Sequence, residues 1–537
     1  MINPFENFTH MASDFGWMGP GEARIDSKGG IIHVKSTGEW TGAWHSLAGL
    51  ASQSNRSLDP NNLTGLDGNS ALNCGIRKLA VNVEGQGLFR VELADINRKV
   101  VWQQSTTLNS DSTTTLYFPI DPATLGQIKF MDWIAEPGCK LKLSSIGFIA
   151  ERQEMPMEEW AFLISLGKLR RCHDLESGLT RDRGHTPAGK FDSIASTGMQ
   201  SLASALGASE GILKRDDVRK EIARTISALE TLPKAAGFLP HFTHRNPQGS
   251  ITIVPGTEFS TVDTAIAFQS ILLATQILDF PDLHDRVAKM IGQLDFSVVT
   301  SSEGWIGHGI LDDGQTLLNA SWRDWGGETA LILALEAMVP GHTPRGNMLS
   351  SGWPYRGTGF IAEIQSLFYP QFDTPTPDRI SNISWPEVRR KLLNQQINYP
   401  KANWPDSPAA MGGIFGLSAG EAGMPGAGYS ANGIEVMGVR WLHPHYMMMS
   451  LALSGQDRYL EGLQALDARQ FLYPCGLPEN IEMDLKLHNP MQGSLNASFE
   501  TISAYHGWKK RDSETNLIDK AARRDPLLIK GAARFYQ

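Results

Sequence analysis

The chain has 537 residues and carries 48 Lys and Arg against 57 Asp and Glu, a formal net charge of −9; it shows no basic stripe with interleaved aromatics, which argues against a nucleic-acid partner. No stretch approaches the roughly 20 uninterrupted apolar residues needed to span a bilayer. The length exceeds one ordinary core and predicts two domains.

Residues 1–16 (MINPFENFTHMASDFG) lack the charged and apolar regions of a signal peptide, so the expected setting is cytoplasmic, or a processed periplasmic or secreted form. Residues 23–35 can supply strands and residues 55–70 a polar loop. Between residues 87 and 148 come the strand-like runs LFRVELADI, KVVWQQSTTL, TTTLYFPI, QIKFMDWIA and KLKLSSIGFI, separated by Asn, Asp, Gly, Pro and Ser turn signals. They predict an antiparallel sandwich of jelly-roll type over residues 1–152. Near residues 151–158 alternation gives way to helical spacing, which opens an all-α domain over 153–537. The four cysteines, Cys74, Cys139, Cys172 and Cys475, match no zinc spacing and read as buried thiols, with a Cys74 to Cys139 disulfide left open.

Two kinds of helix alternate in the second domain. Residues 193–208 (SIASTGMQSLASALGA) carry no charge, whereas 215–231 place Val218, Ile222, Ile226 and Leu229 on one stripe. Residues 257–278 (TEFSTVDTAIAFQSILLATQIL) lead into a helix that is apolar nearly all round, and a run near 283–296 follows with Leu283, Val287, Ile291 and Leu294 on one face. Residues 325–339 are again mostly apolar, and 444–453 (PHYMMMSLAL) precede the amphipathic run 456–472. A helix without a wet face belongs inside, and one with a stripe belongs outside. About a dozen segments alternating in this way suggest a toroid of paired inner and outer helices.

Connections into the buried helices, 182–192, 237–260, 304–324 and 403–443, are long and rich in Gly, Pro, Trp and His. They should emerge on one rim, the expected active face. Residues 340–358, a long loop after a buried helix, do not fit this scheme. The rim tryptophans Trp305, Trp322, Trp353, Trp404 and Trp441 suit a carbohydrate, whose apolar C–H faces stack on indoles; the alternative is that they pin loops to the scaffold. Glu258 stands ahead of its helix, while Ser260 as N-cap and Asp263 at the third helical position form a variant capping box.

In chain order, DLESGL from Asp174, SIASTG from Ser193, GFLPHF from Gly237, EFSTVDTA from Glu258, WGGETALILALEA from Trp325, IFGLSAGE from Ile414 and GAGYSANG ending at Gly433 resemble the glucoamylase-like family related to endo-β-1,2-glucanases. The resemblance covers about residues 160–508. It implies an (α/α)6 barrel and a glycoside hydrolase that cuts β-glucan, above all β-1,2-glucan, with inversion; the partner is then an oligo- or polysaccharide. The N-terminal sandwich looks like a carbohydrate-binding jelly roll. No cofactor is expected: the glycine run 412–433 lacks the Lys and Ser of a P-loop, and His241, His244, His308, His443 and His445 fall at no metal-ligand spacing.

Cleaving an acetal needs an acid to protonate the leaving oxygen and a base to activate water, and two carboxylates can supply both. Glu328 is the first candidate for the acid, near the start of a buried helix beside Trp322 and Trp325; complementing the positive end of that helix is the role left open beside it. Glu258 is the candidate base or substrate-orienting carboxylate, with pairing to an arginine as the alternative. Asp263 matches the family motif, although capping already explains it. Asp192 can cap its helix or face the cavity, and Glu421 or Glu435 can be the base if Glu258 is not. Trp305, His308, Trp322, Trp325, Tyr429 and Trp441, with Asp192 and Glu435, complete the expected substrate-binding set, and Arg183, Arg323 and Arg440 can bind hydroxyls or steady carboxylates. Where the family tends toward an acidic or aromatic residue just before its Glu, this chain has Gly326 and Gly327. A transglycosylase on the same glucan, a polysaccharide lyase using Tyr429 with His308, and a non-catalytic glycan-binding protein are the alternative functions.

Overall fold

The structure is a computed structural model that describes residues 15–26, 31–46, 76–95, 97–120, 124, 130–150, 155–170, 172–183, 191–245, 250–349, 352–423, 428–469, 471–472, 476–485, 488–489, 493–511 and 514–536. The polar loop expected at 55–70 and the residues Cys74 and Cys475 lie outside these, while Cys139 and Cys172 are buried thiols.

The strands β1 (Phe15–Met18), β2 (Glu22–Asp26), β3 (Ile31–Lys35), β4 (Thr41–Ser46), β5 (Ile76–Ala94), β6 (Val100–Pro119), β7 (Phe130–Ala135) and β8 (Lys140–Ala150) form one antiparallel sheet. Their order is β1-β4-β7-β5-β8-β3-β2, with β6 paired to β5. Leu79, Val81, Phe89, Val91 and Trp133 share its core, and the rings of Phe89 and Trp133 stack with centroids 6.3 Å apart. The two runs expected as separate strands over 99–108 and 113–120 are one strand, β6. Opposite them β5 shifts register between Val83 and Gly85, so the polar residues around Ser110 make a bulge in place of a turn.

The helices are α1 (Met157–Arg170), α2 (Ile194–Ser209), α3 (Arg215–Thr231), α4 (Thr261–Ile277), α5 (Pro281–Ile291), α6 (Phe296–Val299), α7 (Gly327–Met338), α8 (Gly359–Phe368), α9 (Trp385–Asn403), α10 (Pro408–Gly412), α11 (Pro444–Ser454), α12 (Tyr459–Ala468), α13 (Ser494–Lys509), α14 (Leu517–Ala522) and α15 (Pro526–Ala532). The run expected near 283–296 is interrupted: α5 stops at Ile291, and Asp295 caps the short α6. Ser193 and Ser260 cap α2 and α4, each hydroxyl accepting a backbone N–H three residues on.

Six helices buried along nearly their whole length touch one another in a closed cycle, α2 to α4 to α7 to α8 to α11 to α13 and back to α2. The others lie against single members or pairs of that cycle: α3 on α2, α5 on α4, α9 on α8 and α11, α12 on α11, and α1 on α13. Among the described residues no α-helix lies between α7 and α8, only a short 3-10 turn at Pro354–Gly357. The neighbour of α7 is instead α15, near the C-terminus, whose Lys530 donates to the carbonyls of Met338 and Val339. That exchange accounts for the anomalous loop at 340–358. With no outer helix to carry the chain back, irregular backbone must return along α7 to the end where α8 starts.

Short antiparallel ladders join the loops that enter the cycle. Asp192–Ser193 pairs with Phe242–Arg245, Glu258–Ser260 with Gly309–Leu311, Ile306–Gly307 with Ser321–Trp322, Ala419–Glu421 with Tyr429–Ala431, and Trp441–Leu442 with Asn480–Glu482. Backbone hydrogen bonding within and between these loops thus makes the rim a built surface. No helix among the described residues is long and apolar enough to cross a membrane.

Candidate active site

A cavity of about 1030 Å³ opens among these loops, at the upper end of the size range that holds small ligands. Its lining includes Trp305, His308, Trp322, Trp325, Glu328, Tyr355 and Tyr429. Local bonds fix the aromatic members. Trp322 donates its indole N–H to Thr261 Oγ1 (3.0 Å) and stacks on His308, with centroids 4.0 Å apart and planes 18° apart. Trp325 is 2% exposed and donates to the carbonyl of Gly352 (3.1 Å), so its main task is to pin a loop. The indole of Trp305 donates to Glu303 (2.9 Å).

Glu328 occupies the first turn of α7. Its position depends on the preceding pair of glycines: a Cβ on Gly327 would overlap Ile364 and Gln365 of α8, and one on Gly326 would press on Ile361. An acidic or aromatic residue there would force the two helices apart. Burial pushes the Glu328 carboxyl up to about 8, the charge of Asp263 adds to the rise, and His241 opposes it. Glu328 is therefore a protonated carboxylic acid at neutral pH.

His241 ties together the next carboxylates. Its Nδ1 lies 2.9 Å from Glu258 Oε1 and its Nε2 3.7 Å from Asp263 Oδ2. Burial would lower this imidazole, but the charge of Asp263 and the hydrogen bond and charge of Glu258 outweigh it and raise it to about 9. Burial pulls Glu258 upward, yet the hydrogen bond from His241 and its charge leave the carboxyl below its ordinary value. Asp263 is raised by burial, against the opposing charge of His241. Its carboxylate accepts the Ser260 hydroxyl (2.5 Å), while Ser260 Oγ accepts the Asp263 backbone N–H (3.2 Å). Only half of the expected capping box forms: Ser260 is the cap, but its own N–H donates to Leu239 O (2.8 Å), so the Asp263 carboxylate braces the cap hydroxyl and takes part in the charge network of Glu328.

A second group of charges lies near Tyr429. Arg183 pairs with Glu421 and, at 3.1 Å, with Asp182. Glu421 is 1% exposed, and its backbone N–H points to Glu479 Oε1 at 3.5 Å. Tyr429 is 60% exposed, yet desolvation of its hydroxyl within the site raises it, and the charges of Glu328, Asp182 and Glu479 add to the rise.

Six positions expected from the sequence therefore line one cavity: Trp305, His308, Trp322, Trp325, Glu328 and Tyr429. Glu258 and Asp263 stand behind it, joined to each other through His241. Asp192 is buried on the strand before α2 and is not the cap, which is Ser193. Glu435 is exposed on the loop that meets Arg356, and Trp441 pairs with Glu482 in a rim ladder; neither is among the lining residues. Of the arginines, Arg323 lines the cavity, while Arg440 pairs with Glu482 (3.2 Å). His443 and His445 are fully buried, and burial lowers both. Sequence reading missed Tyr355, Asp182 and Glu479; only the unexplained length of the loop at 340–358 hinted at the first.

No family model and no curated protein matches the sequence. Solved structures do. The chain is similar to a β-1,2-glucanase from Parabacteroides distasonis, with a TM-score of 0.60, 12% identity and 99% of each chain covered. It is similar to an endo-β-1,2-glucanase from Chitinophaga pinensis, with a TM-score of 0.56, 14% identity, and 71% of this chain and 98% of that one covered. A Bacteroides fragilis protein provisionally named a glucoamylase gives a TM-score of 0.60 and 16% identity over 72% of this chain and 98% of its own. The fold is therefore that of the glucoamylase-like and endo-β-1,2-glucanase structures.

Proposed function

We propose that the chain is a glycoside hydrolase that cuts β-glucan, above all β-1,2-glucan, by acid and base catalysis with inversion. In this reading residues 153–537 form an (α/α)6 barrel and residues 1–152 a jelly-roll sandwich of carbohydrate-binding type. The observation that carries the proposal is the split between two carboxyls that share His241 as an electrostatic partner: Glu328 holds its proton in the cavity while His241 keeps Glu258 ionised. Pairs of titratable groups whose surroundings push them apart mark acid and base assignments. The shared fold with β-1,2-glucanases supports the substrate class.

Glu328 gives its proton to the glycosidic oxygen as the C1–O bond breaks. Glu258, which stands behind the lining residues, takes a proton through an intervening water from the water that attacks C1 from the opposite face, so the new hemiacetal has inverted configuration. Trp322, with His308 stacked against it, and Trp305 offer apolar surface to sugar rings. A lyase reading requires a cationic clamp for a uronate, and the cavity sets Glu303 and Asp324, beside the protonated Glu328, against Arg323. That balance favours a neutral glycan.

The test is product analysis on a panel of linear and cyclic β-glucans, with anomeric configuration followed by NMR. The expected result is saturated oligosaccharides released from β-1,2-glucan with inverted configuration. An unsaturated product absorbing in the ultraviolet, or retention of configuration, overturns the reading.

A further inference from the structure

We propose that Tyr355 is a substrate-binding residue, a stacking wall for a sugar ring outside the bond being cut, and that a strained turn holds it over the cavity. The proposal rests on the glycan reading of the cavity and names a contact which that reading does not include.

Three observations carry it. The first is the path of the loop between α7 and α8. At its start the buried carboxylate of Glu336 accepts the backbone N–H groups of Arg345 (2.9 Å) and Gly346 (2.9 Å). Further on, Asn347 N–H donates to Gly304 O (2.9 Å) and Leu349 N–H to Arg323 O (2.6 Å), while Trp325 N–H donates to Leu349 O (2.8 Å). At these described residues the loop is bonded to the rim, and its Tyr355 lines the cavity.

The second observation is strain. Tyr355 (φ 31°, ψ 75°) and Arg356 (φ 60°, ψ 19°) are consecutive non-glycine residues with positive φ, and Gly357 follows at φ 71°. L side chains avoid this region because Cβ crowds the backbone. Such a conformation persists where the surroundings over-determine it, and it collects at ligand clamps and active sites. Here the surroundings do so: Arg356 O accepts Glu435 N–H (3.1 Å), and Gly357 O accepts the Gln396 side chain (3.1 Å) and Ile434 N–H (3.4 Å). Gly433 has no room for a Cβ against this turn.

The third is the ring itself. Tyr355 lines the cavity yet is 50% exposed, so it adds little to the core. Tyr429, 60% exposed, lines the same cavity. A half-exposed ring on an over-determined turn is a rigid apolar face ready for a saccharide, with a hydroxyl at its edge for a polar partner.

The experiment compares wild type, Y355F and Y355A in the full chain. Melting temperature reports folding, titration calorimetry reports binding of β-1,2-linked glucooligosaccharides of increasing length, and kcat and KM report turnover. Loss of a stacking face should raise Kd and KM about tenfold in Y355A with kcat little changed, and should leave Y355F near wild type. Longer oligosaccharides should feel the loss and the shortest should not. Equal Kd and KM in a folded Y355A overturn the proposal, as does an equal loss in Y355F, which would assign the effect to the hydroxyl. If Y355A does not fold, Y355L supplies the same comparison. Wild-type binding without hydrolysis would remove the catalytic reading and leave the Tyr355 comparison intact; no saccharide binding at all would remove both.

Discussion

Nδ1 of His241 stands 2.9 Å from Oε1 of Glu258. The same ring reaches toward Asp263, so one imidazolium, raised to about 9, is shared by two carboxylates beside an uncharged Glu328. Removing it should expose Glu258 to burial without compensation. H241A is expected to lower kcat/KM roughly 10- to 100-fold. Because Glu258 then loses what holds it low, the acidic limb of the pH–rate profile should move to higher pH. An unmoved acidic limb in folded H241A would take Glu258 out of the base role.

The Glu328 carboxyl, pushed up to about 8, works as an acid only while protonated. Activity should therefore fall as pH rises through about 8. E328Q, nearly isosteric, is expected to lose roughly 10²- to 10⁴-fold in kcat with its melting temperature kept. Product release at the wild-type rate from E328Q would end its candidacy.

The same shift makes a stability prediction. The folded pKa lies above the ordinary carboxyl value of 4.5, so between about 4.5 and 8 the folded chain holds a proton the unfolded chain has released. This contribution to stability is complete below the unfolded value and is lost as pH rises through the folded one. Melting temperature followed across this window should decline less in E328Q than in wild type. Equal slopes would mean that Glu328 is solvated in the folded chain.

Lys168 and Glu500 form an ion pair at 2.8 Å with both side chains 0% exposed, and Lys168 also donates to the carbonyl of Leu477. K168M leaves a carboxylate in the interior without its cation, which costs about 3–5 kcal/mol. Denaturant unfolding should show this loss, and the double variant K168M/E500L should recover part of it. A neutral K168M would show that water reaches Glu500.

Phe535 follows α15 and is fully buried, with its ring 5.0 Å from that of Phe372. Since α15 supplies the outer neighbour of α7, its anchor should matter to the helical unit as a whole. F535A is expected to cost about 3–5 kcal/mol. Denaturation at the wild-type midpoint would mean that the C-terminal segment is an accessory.

What the sequence determined by itself was local. Val218, Ile222, Ile226 and Leu229 fall on one stripe because a helix turns every 3.6 residues, and α3 spans the residues that periodicity marked. The uncharged runs around Met199 and Phe268 could only be buried helices, and both are. Ser260 announced its cap, and Glu328 its place at a helix start, because caps and charges act within one turn.

Tertiary structure decided whatever needed a partner distant in sequence. Only the register of β5 turned the polar signal at Ser110 into a bulge. Only the return of α15 to α7 accounts for the lack of an outer α-helix among the described residues of 340–358, and only the folded chain sets Tyr355 on a cavity wall. The charge states of His241, Glu258 and Glu328 belong to the same class. A pKa is set by burial and by charges across space, and nothing in the spacing of 241, 258 and 328 reveals that folding brings these three side chains into one electrostatic network.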